Sequence, residues 1–364
     1  MMRKKIVIGL VGAALLLASC GKLEKGTSNI SPNQASGDKT ATTGQLNDSS
    51  YQALLVDGKY KTGKARGVSK STLNSNYNLA NVEKGLMEMS KGAYPVDKYL
   101  FQEGQYISRE VIIQLISRQS DEAPLGLNPA EGGGPIIFEQ VVEQNYLSKE
   151  NEQLGGVSLG IVLNSVDYST NPPVEIDDAT VNSEGQRIAS KVLEKVRTIK
   201  GLENTPVTIG LFKQATRDDI GGGSYFAKAT SKSGNDLSGW EDVNEAYIVL
   251  PAKEGAQNNA TNDGLSNKFT DFKNSVQSFF PNSSGISGVA AYRNNELQKM
   301  TIIIETKYFS ETEILNFTQF ISTTVDTIFN INANIEVQIN TLEGPQGFVE
   351  KQVGSDKSVG HVFN

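Results

Sequence analysis

The 364-residue sequence contains only one cysteine, Cys20, and one histidine, His361. An intrachain disulfide needs two cysteines, and zinc sites built from several Cys and His ligands are excluded as well. A nucleophile–histidine catalytic pair would have to use His361, which we expect to lie on a frayed C-terminus. The formal net charge is −7, so no nucleic-acid partner is expected. We also expect no metal and no cofactor, which leaves carboxylates as the side chains available for catalysis.

The N-terminus has the parts of a processing signal for export. A positive segment, Arg3-Lys4-Lys5, precedes an uncharged apolar run over residues 6–18. The run is too short for a membrane-spanning helix, which needs about 20 residues, but it suits a secretory signal peptide. It ends in Leu17-Ala18-Ser19-Cys20. This segment resembles the bacterial lipobox, in which an aliphatic residue and two small residues precede a cysteine.

The lipobox resemblance implies a definite processing route. Lipoprotein diacylglyceryl transferase would attach membrane lipid to the Cys20 thiol, and signal peptidase II would cut between Ser19 and Cys20. The acylated Cys20 would then hold the protein at the cell membrane, on its extracellular face. The alternative is an ordinary signal peptide followed by an incidental cysteine.

The rest of the chain divides into a tether and two halves. Residues 21–50 hold no aromatic residue and few aliphatic ones, which is typical of a flexible segment. The predicted organisation is therefore a signal peptide over 1–19, the lipidated cysteine and a disordered tether over 20–50, a first repeat over 51–235 and a second repeat over 236–364.

Hydrophobic periodicity predicts the order β-α-β-β-α-β in both halves. The predicted elements of the first half are a strand over 51–56, a helix over 77–90, strands over 136–147 and 157–167, a helix over 183–199 and strands over 206–213 and 224–230. Those of the second half are a strand over 246–250, a helix over 265–279, strands over 286–292 and 300–308, a helix over 310–329 and strands over 335–339 and 347–349. An insertion at 97–135 holds a helix after Ser108. The expected class is α+β with mixed or antiparallel sheets, ferredoxin-like or related; one larger mixed sheet is the alternative.

One segment resembles a phosphate-binding loop. Residues 58–64 fit the first seven positions of a P-loop, but Ala65 stands where a Ser or Thr should hold magnesium. No helix pattern follows it. A basic surface loop is the favoured interpretation.

Two carboxylates are candidates for a cell-wall glycan hydrolase. Glycosidases use a pair of carboxylates, and Glu88 and Glu103 flank an aromatic-rich segment, 94–106, that could stack on sugar. The simpler interpretation is a solvated helix face beside a packed loop, and spacing alone cannot establish that the two side chains meet. We therefore expect a non-enzymatic body.

Four segments together resemble the CamS sex-pheromone lipoprotein family of Gram-positive bacteria. They are Leu55-Val56-Asp57-Gly58-Lys59-Tyr60, Lys64-Ala65-Arg66-Gly67, Gly85-Leu86-Met87-Glu88 and Phe101-Gln102-Glu103-Gly104-Gln105-Tyr106. The resemblance implies two related repeats and gives the body no catalytic role. It also implies that the released signal peptide is trimmed to a short hydrophobic peptide and exported, for a peptide receptor on responder cells.

The matching peptide in this sequence is Ala13-Ala14-Leu15-Leu16-Leu17-Ala18-Ser19. Its first residue and last three residues agree with the family's heptapeptides, which start with Ala and end in Leu-Ala-Ser or Leu-Ala-Ala. Ala14, Leu15 and Leu16 replace bulkier Ile and Phe. The alternatives are a signal peptide that is simply degraded and a body that acts as a ligand- or partner-binding module at the cell surface.

Overall fold

The computed structural model describes residues 40–252, 264–279, 285–308 and 310–363. Its first part is a small antiparallel sheet followed by two helices. These elements are β1 Thr40–Thr42, β2 Leu54–Val56, β3 Lys59–Tyr60, α1 Arg66–Thr72 and α2 Asn76–Ser90. Strand β1 pairs with β2 and lies inside the range 20–50 that was predicted as a disordered tether. That range is therefore too long at its C-terminal end.

The next part of the chain builds a six-stranded sheet in the order β11-β10-β9-β6-β5-β4. Its elements are β4 Tyr99–Glu103, α3 Arg109–Ile116, β5 Phe138–Ser148, β6 Leu154–Leu163, β7 Val166–Asp167, β8 Val174–Glu175, α4 Asp178–Val196, β9 Val207–Lys213, β10 Ser224–Ser231 and β11 Glu241–Asp242. Strands β6 and β9 are parallel neighbours, whereas the other pairs are antiparallel. Strands β7 and β8 pair separately.

A second six-stranded sheet follows, in the order β12-β13-β14-β15-β16-β17. Its elements are β12 Glu245–Leu250, α5 Leu265–Phe279, β13 Gly285–Arg293, β14 Glu296–Glu305, α6 Glu311–Ile328, β15 Asn334–Thr341, β16 Gly344–Lys351 and β17 Val359–Val362. Strands β14 and β15 form its parallel pair. The hydroxyl of Ser310 caps α6 by accepting a hydrogen bond from the N–H of Glu313 at 3.3 Å, as the capping-box pattern predicts.

The two sheets confirm an α+β fold with similarly ordered halves. Each sheet is built by a run β-α-β-β-α-β followed by two further strands, and in the first half the separate β7–β8 pair precedes α4. The strands of each sheet lie in chain order with a single parallel pair. The prediction that the first run starts at the strand 51–56 and the helix 77–90 is wrong, because its first two elements are β4 and α3. The parallel strands are adjacent rather than separated by a third strand, unlike the ferredoxin-like arrangement. The alternative of a single larger sheet is also wrong.

The sheets differ in how their faces are covered. Both faces of β6 and β9 are buried in the first sheet, whereas the strands of the second alternate buried and half-buried residues. One face of the first sheet packs on α3 and α4. The other packs on α2, whose Val82 and Leu86 are fully buried. Helix α2 is thereby held flat against the first sheet, where it forms one wall of the site described below.

The lone histidine does not lie on a frayed end. His361 belongs to β17 and sits opposite Phe348 of β16, with its side chain exposed to solvent. The expectation of a frayed terminus is corrected by this pairing.

Candidate functional site

The structure separates the two carboxylates that were predicted as a hydrolase pair. Glu88 leaves α2 towards the second sheet, where its carboxylate lies 3.8 Å from the guanidinium of Arg293, and it also pairs with Lys91 at 2.6 Å. Glu103, at the end of β4, instead lines a cavity of about 240 Å³ in which Glu88 takes no part. The cavity brings Glu103 together with two other carboxylates, Glu83 and Glu143.

The cavity lies between α2 and the edge of the first sheet. Its floor is apolar and its mouth is charged. The lining residues are Tyr60, Gly63, Ala65, Arg66, Glu83, Lys84, Met87, Phe101, Glu103, Gly104, Ile107, Ile112, Val141, Val142, Glu143 and Gln144. Cavities that hold drug-sized molecules usually measure about 300–1,000 Å³, so this one suits a smaller ligand.

Glu143 of β5 is held by backbone donors. Its carboxylate accepts hydrogen bonds from the N–H groups of Gln105 at 3.0 Å, Tyr106 at 3.0 Å and Ile107 at 2.7 Å. The side-chain amide of Asn145 donates a further bond at 2.7 Å. Burial raises the pKa of Glu143, and these hydrogen bonds oppose the rise without cancelling it. The carboxylate therefore fixes the segment after β4 as the wall of the cavity.

Gly104 makes this arrangement sterically possible. A Cβ atom at position 104 would lie 2.6 Å from the Cβ of Glu143, closer than two non-bonded carbon atoms can approach. The N–H of Gly104 donates to the backbone carbonyl of Glu143 at 3.0 Å. A glycine is thus required where the chain crosses the Glu143 side chain.

Glu103 is the carboxylate of the mouth. It accepts hydrogen bonds from the Tyr60 hydroxyl at 2.9 Å and the Gly63 N–H at 2.6 Å, and the guanidinium of Arg66 lies 3.4 Å away. Burial, and then the hydrogen bond to Glu103, raise the pKa of Tyr60. Because the Arg66 side chain is 60% exposed, its ion pair contributes little to stability.

A tight turn delivers Tyr60 to this position. Asp57 and Gly58 connect β2 to β3 with φ of 51° and 70°, the left-handed values that a two-residue hairpin turn requires. Residues 58–64, the P-loop-like segment, therefore form a hairpin and a loop. The prediction that no helix follows is wrong, because α1 begins at Arg66. The Gly63 N–H nevertheless binds Glu103 rather than standing ready for phosphate.

Glu83 lies at the exposed rim on α2. Partial desolvation of its carboxylate beside the cavity, and then repulsion from Glu103, raise its pKa, and Arg66 opposes this effect. Among the residues that the structure describes, no hydrogen bond or ion pair reaches the Glu83 carboxylate. Among the three carboxylates of the cavity, Glu83 therefore has the least compensated charge.

Sequence reasoning found Glu103 but missed Glu83 and Glu143. A usable indication existed for Glu143, since β5 is a predicted apolar strand interrupted by Gln140, Glu143, Gln144 and Asn145. Polar residues that interrupt a strand buried on both faces need partners. Glu83 offered no such indication, because it resembles any other charged residue of an exposed helical turn.

The four segments that carry the family resemblance converge on this cavity. The first supplies Tyr60, the second Ala65 and Arg66, the third Met87, and the fourth Phe101, Glu103 and Gly104. Gly85, in the third segment, lets α2 approach the first sheet, since a Cβ there would lie 2.7 Å from the Tyr225 ring. The residues by which the sequence resembles the family thus build one place in the fold.

Comparison with known proteins identifies the family. The family model described as CamS sex pheromone cAM373 precursor matches residues 60–357, which is well over half of the chain. The chain belongs to the CamS family. This membership confirms the resemblance inferred from the four segments.

One solved structure supports the assignment, and a second shares the fold. A sex pheromone precursor from Lactobacillus salivarius subsp. salivarius UCC118 is 35% identical with a TM-score of 0.84, and the match covers 89% of this chain and 99% of that one. The C-terminal domain of the sex pheromone staph-cAM373 precursor from Staphylococcus aureus is 23% identical with a TM-score of 0.67, covering 80% of this chain and 99% of that one. The second likeness shows the CamS fold alone. No curated protein matches the chain.

The predicted processing site lies outside the described residues. Cys20, the lipobox and the heptapeptide Ala13 to Ser19 all fall within residues 1–39. Within the part of the chain that the structure does describe, no helix is long and apolar enough to cross a membrane.

Proposed function

We propose that this CamS-family chain is a precursor with two products. One is a body anchored through lipidated Cys20 at the extracellular face of the cell membrane. The other is a hydrophobic heptapeptide, Ala13 to Ser19, that acts as a pheromone. The observation that carries the proposal is the position of the only cysteine, which directly follows the apolar run in a chain whose family is described as pheromone precursors.

One cut would release both products. Cleavage between Ser19 and Cys20 leaves Ser19 as the C-terminus of the signal peptide, so the peptide's final Leu-Ala-Ser is defined by the lipobox itself. The partners of this step are lipoprotein diacylglyceryl transferase and signal peptidase II. The peptide would then meet a receptor on responder cells.

The body is proposed to be non-enzymatic. Glu88 faces Arg293 instead of Glu103, which counts against the hydrolase that these two carboxylates would form. Glu143, which does lie near Glu103, has its oxygens engaged by backbone N–H groups. A carboxylate held in this way stabilises the loop after β4.

The pheromone is tested with synthetic Ala-Ala-Leu-Leu-Leu-Ala-Ser applied to a mating-responsive strain. We expect a mating response at nanomolar concentration, because the peptide keeps the first residue and the last three residues of the family's heptapeptides. A scrambled peptide of the same composition is the matched control. Silence, or an equal response to the scrambled peptide, would contradict the signalling role.

A further inference from the structure

The lining of the cavity beside α2 carries one more carboxylate than cations, with Glu83, Glu103 and Glu143 against Arg66 and Lys84. Glu83 and Glu103 repel one another, and both line the opening together with Arg66 and Lys84. Arg66 is committed to Glu103 at 3.4 Å through a largely exposed side chain. No hydrogen bond or ion pair reaches the Glu83 carboxylate among the described residues, and the guanidinium beside Glu103 is exposed. A positive group that displaces Arg66 would therefore contact both carboxylates.

The interior of the cavity is apolar. Behind the glutamates lie Met87, Ile107, Ile112 and Val141, of which Ile107, Ile112 and Val141 are each about 1% exposed. An apolar group entering here displaces water from apolar walls, which is favourable. The ligand that matches both parts of the cavity is cationic at one end and apolar at the other.

A metal ion fits this geometry less well than an ammonium group. No group of three or more carboxylates, histidines or cysteines within the described ranges is placed to share a metal ion, and the Glu143 oxygens are occupied by backbone donors. An ammonium group carries three N–H donors and no acceptor, so two carboxylates can accept two of its hydrogen bonds and solvent at the open mouth can accept the third.

We propose that this cavity binds a small primary ammonium compound that carries an apolar group. The ammonium lies between the carboxylates of Glu83 and Glu103, and the apolar group rests on Met87, Ile107 and Val141. The same chemistry is offered by a free alkylamine and by the amino terminus of a hydrophobic peptide.

The test is calorimetric titration of the purified full chain with hexylamine, hexanol and hexanoate, which share the apolar group and differ in charge. We expect hexylamine to bind and the other two to bind at least about tenfold more weakly, since charge-assisted hydrogen bonds are the stronger kind.

Titration with Ala-Ala-Leu-Leu-Leu-Ala-Ser, free and acetylated at its amino terminus, distinguishes the two sources of the ammonium. Binding of hexylamine alone assigns the cavity to small amines, and binding of the free peptide but not the acetylated one extends it to peptide termini.

Variants locate the binding within the molecule. Glu83→Gln should weaken hexylamine binding about fivefold, an effect limited by the exposure of Glu83, and Glu103→Gln should weaken it further. Glu88→Gln, on the same helix but outside the cavity, should leave it unchanged. Because Glu83 is exposed, its variant is expected to fold even if Glu103→Gln does not. No binding of hexylamine, equal binding of the three probes, or unchanged affinity in Glu83→Gln would overturn the proposal.

Discussion

Replacing Cys20 with alanine is expected to abolish lipid labelling of the chain. The thiol is the proposed acceptor of the diacylglycerol, and alanine offers no nucleophile. Each buried CH₂ of an acyl chain contributes about 0.8 kcal/mol to membrane binding, so the acyl chains supply the anchor of the processed body. The variant, in which the cut after Ser19 is blocked, keeps only the apolar run 6–18 for membrane contact. The measurement is metabolic labelling with palmitate.

Electrostatic attraction does not hold the processed body at the membrane. Cleavage after Ser19 removes three cations, Arg3, Lys4 and Lys5, and changes the formal net charge from −7 to −10. An acidic protein is repelled by anionic lipid. Ser19→Ala is the matched control, because the family's peptides end in Leu-Ala-Ser or Leu-Ala-Ala, and it should retain label. A labelled Cys20→Ala chain would contradict the anchor.

The second large effect is expected from Glu143→Ala. The substitution leaves the N–H groups of Tyr106 and Ile107 without their acceptor, whereas the N–H of Gln105 keeps its second acceptor, the side-chain oxygen of Asn145, at 2.9 Å. A buried donor left unsatisfied costs about 1–3 kcal/mol. With two such donors, we expect the free energy of unfolding to fall by about 2 kcal/mol or more, and the wall of the cavity to loosen. Urea denaturation of the purified chain measures this loss.

Glu150→Ala is the control for this substitution. Glu150 follows the same strand in an exposed turn, and surface changes of this kind usually stay within about 0.5 kcal/mol. A loss below about 1 kcal/mol in Glu143→Ala would mean that water or another side chain replaces the carboxylate. In that case the Glu143 carboxylate would not be required to hold residues 105–107 in place.

Much of the fold could be predicted because helices such as α2, α4, α5 and α6 carry clear apolar stripes. The sequence does not reveal β4, Tyr99–Glu103, as the first strand of the first repeat. This short strand has buried residues on both faces, so it lacks the alternation that marks a strand. The strand Leu54–Val56 has a similar local pattern but pairs within the small N-terminal sheet. Which sheet a short strand joins depends on long-range pairing, which local sequence does not encode.

The candidate site was predictable only in part for the same reason. Glu103 stood out because of its aromatic neighbours, but its true companion depends on the register of β4 and β5, which places Glu103 opposite Gln144. The sequence places Glu88 on a helix but does not fix the direction in which its side chain points. It lies one residue after Met87, which faces the cavity, and one residue along a helix rotates a side chain by about 100°.

The most direct test of the central claim is mass spectrometry of culture medium from cells that express the precursor. The account predicts the heptapeptide Ala-Ala-Leu-Leu-Leu-Ala-Ser in the medium of the parent strain and its loss in the Cys20→Ala strain, where the cut after Ser19 is blocked. Absence of the peptide from the parent medium, or equal amounts in both strains, would contradict the claim that one lipobox cleavage yields both the anchored body and the peptide.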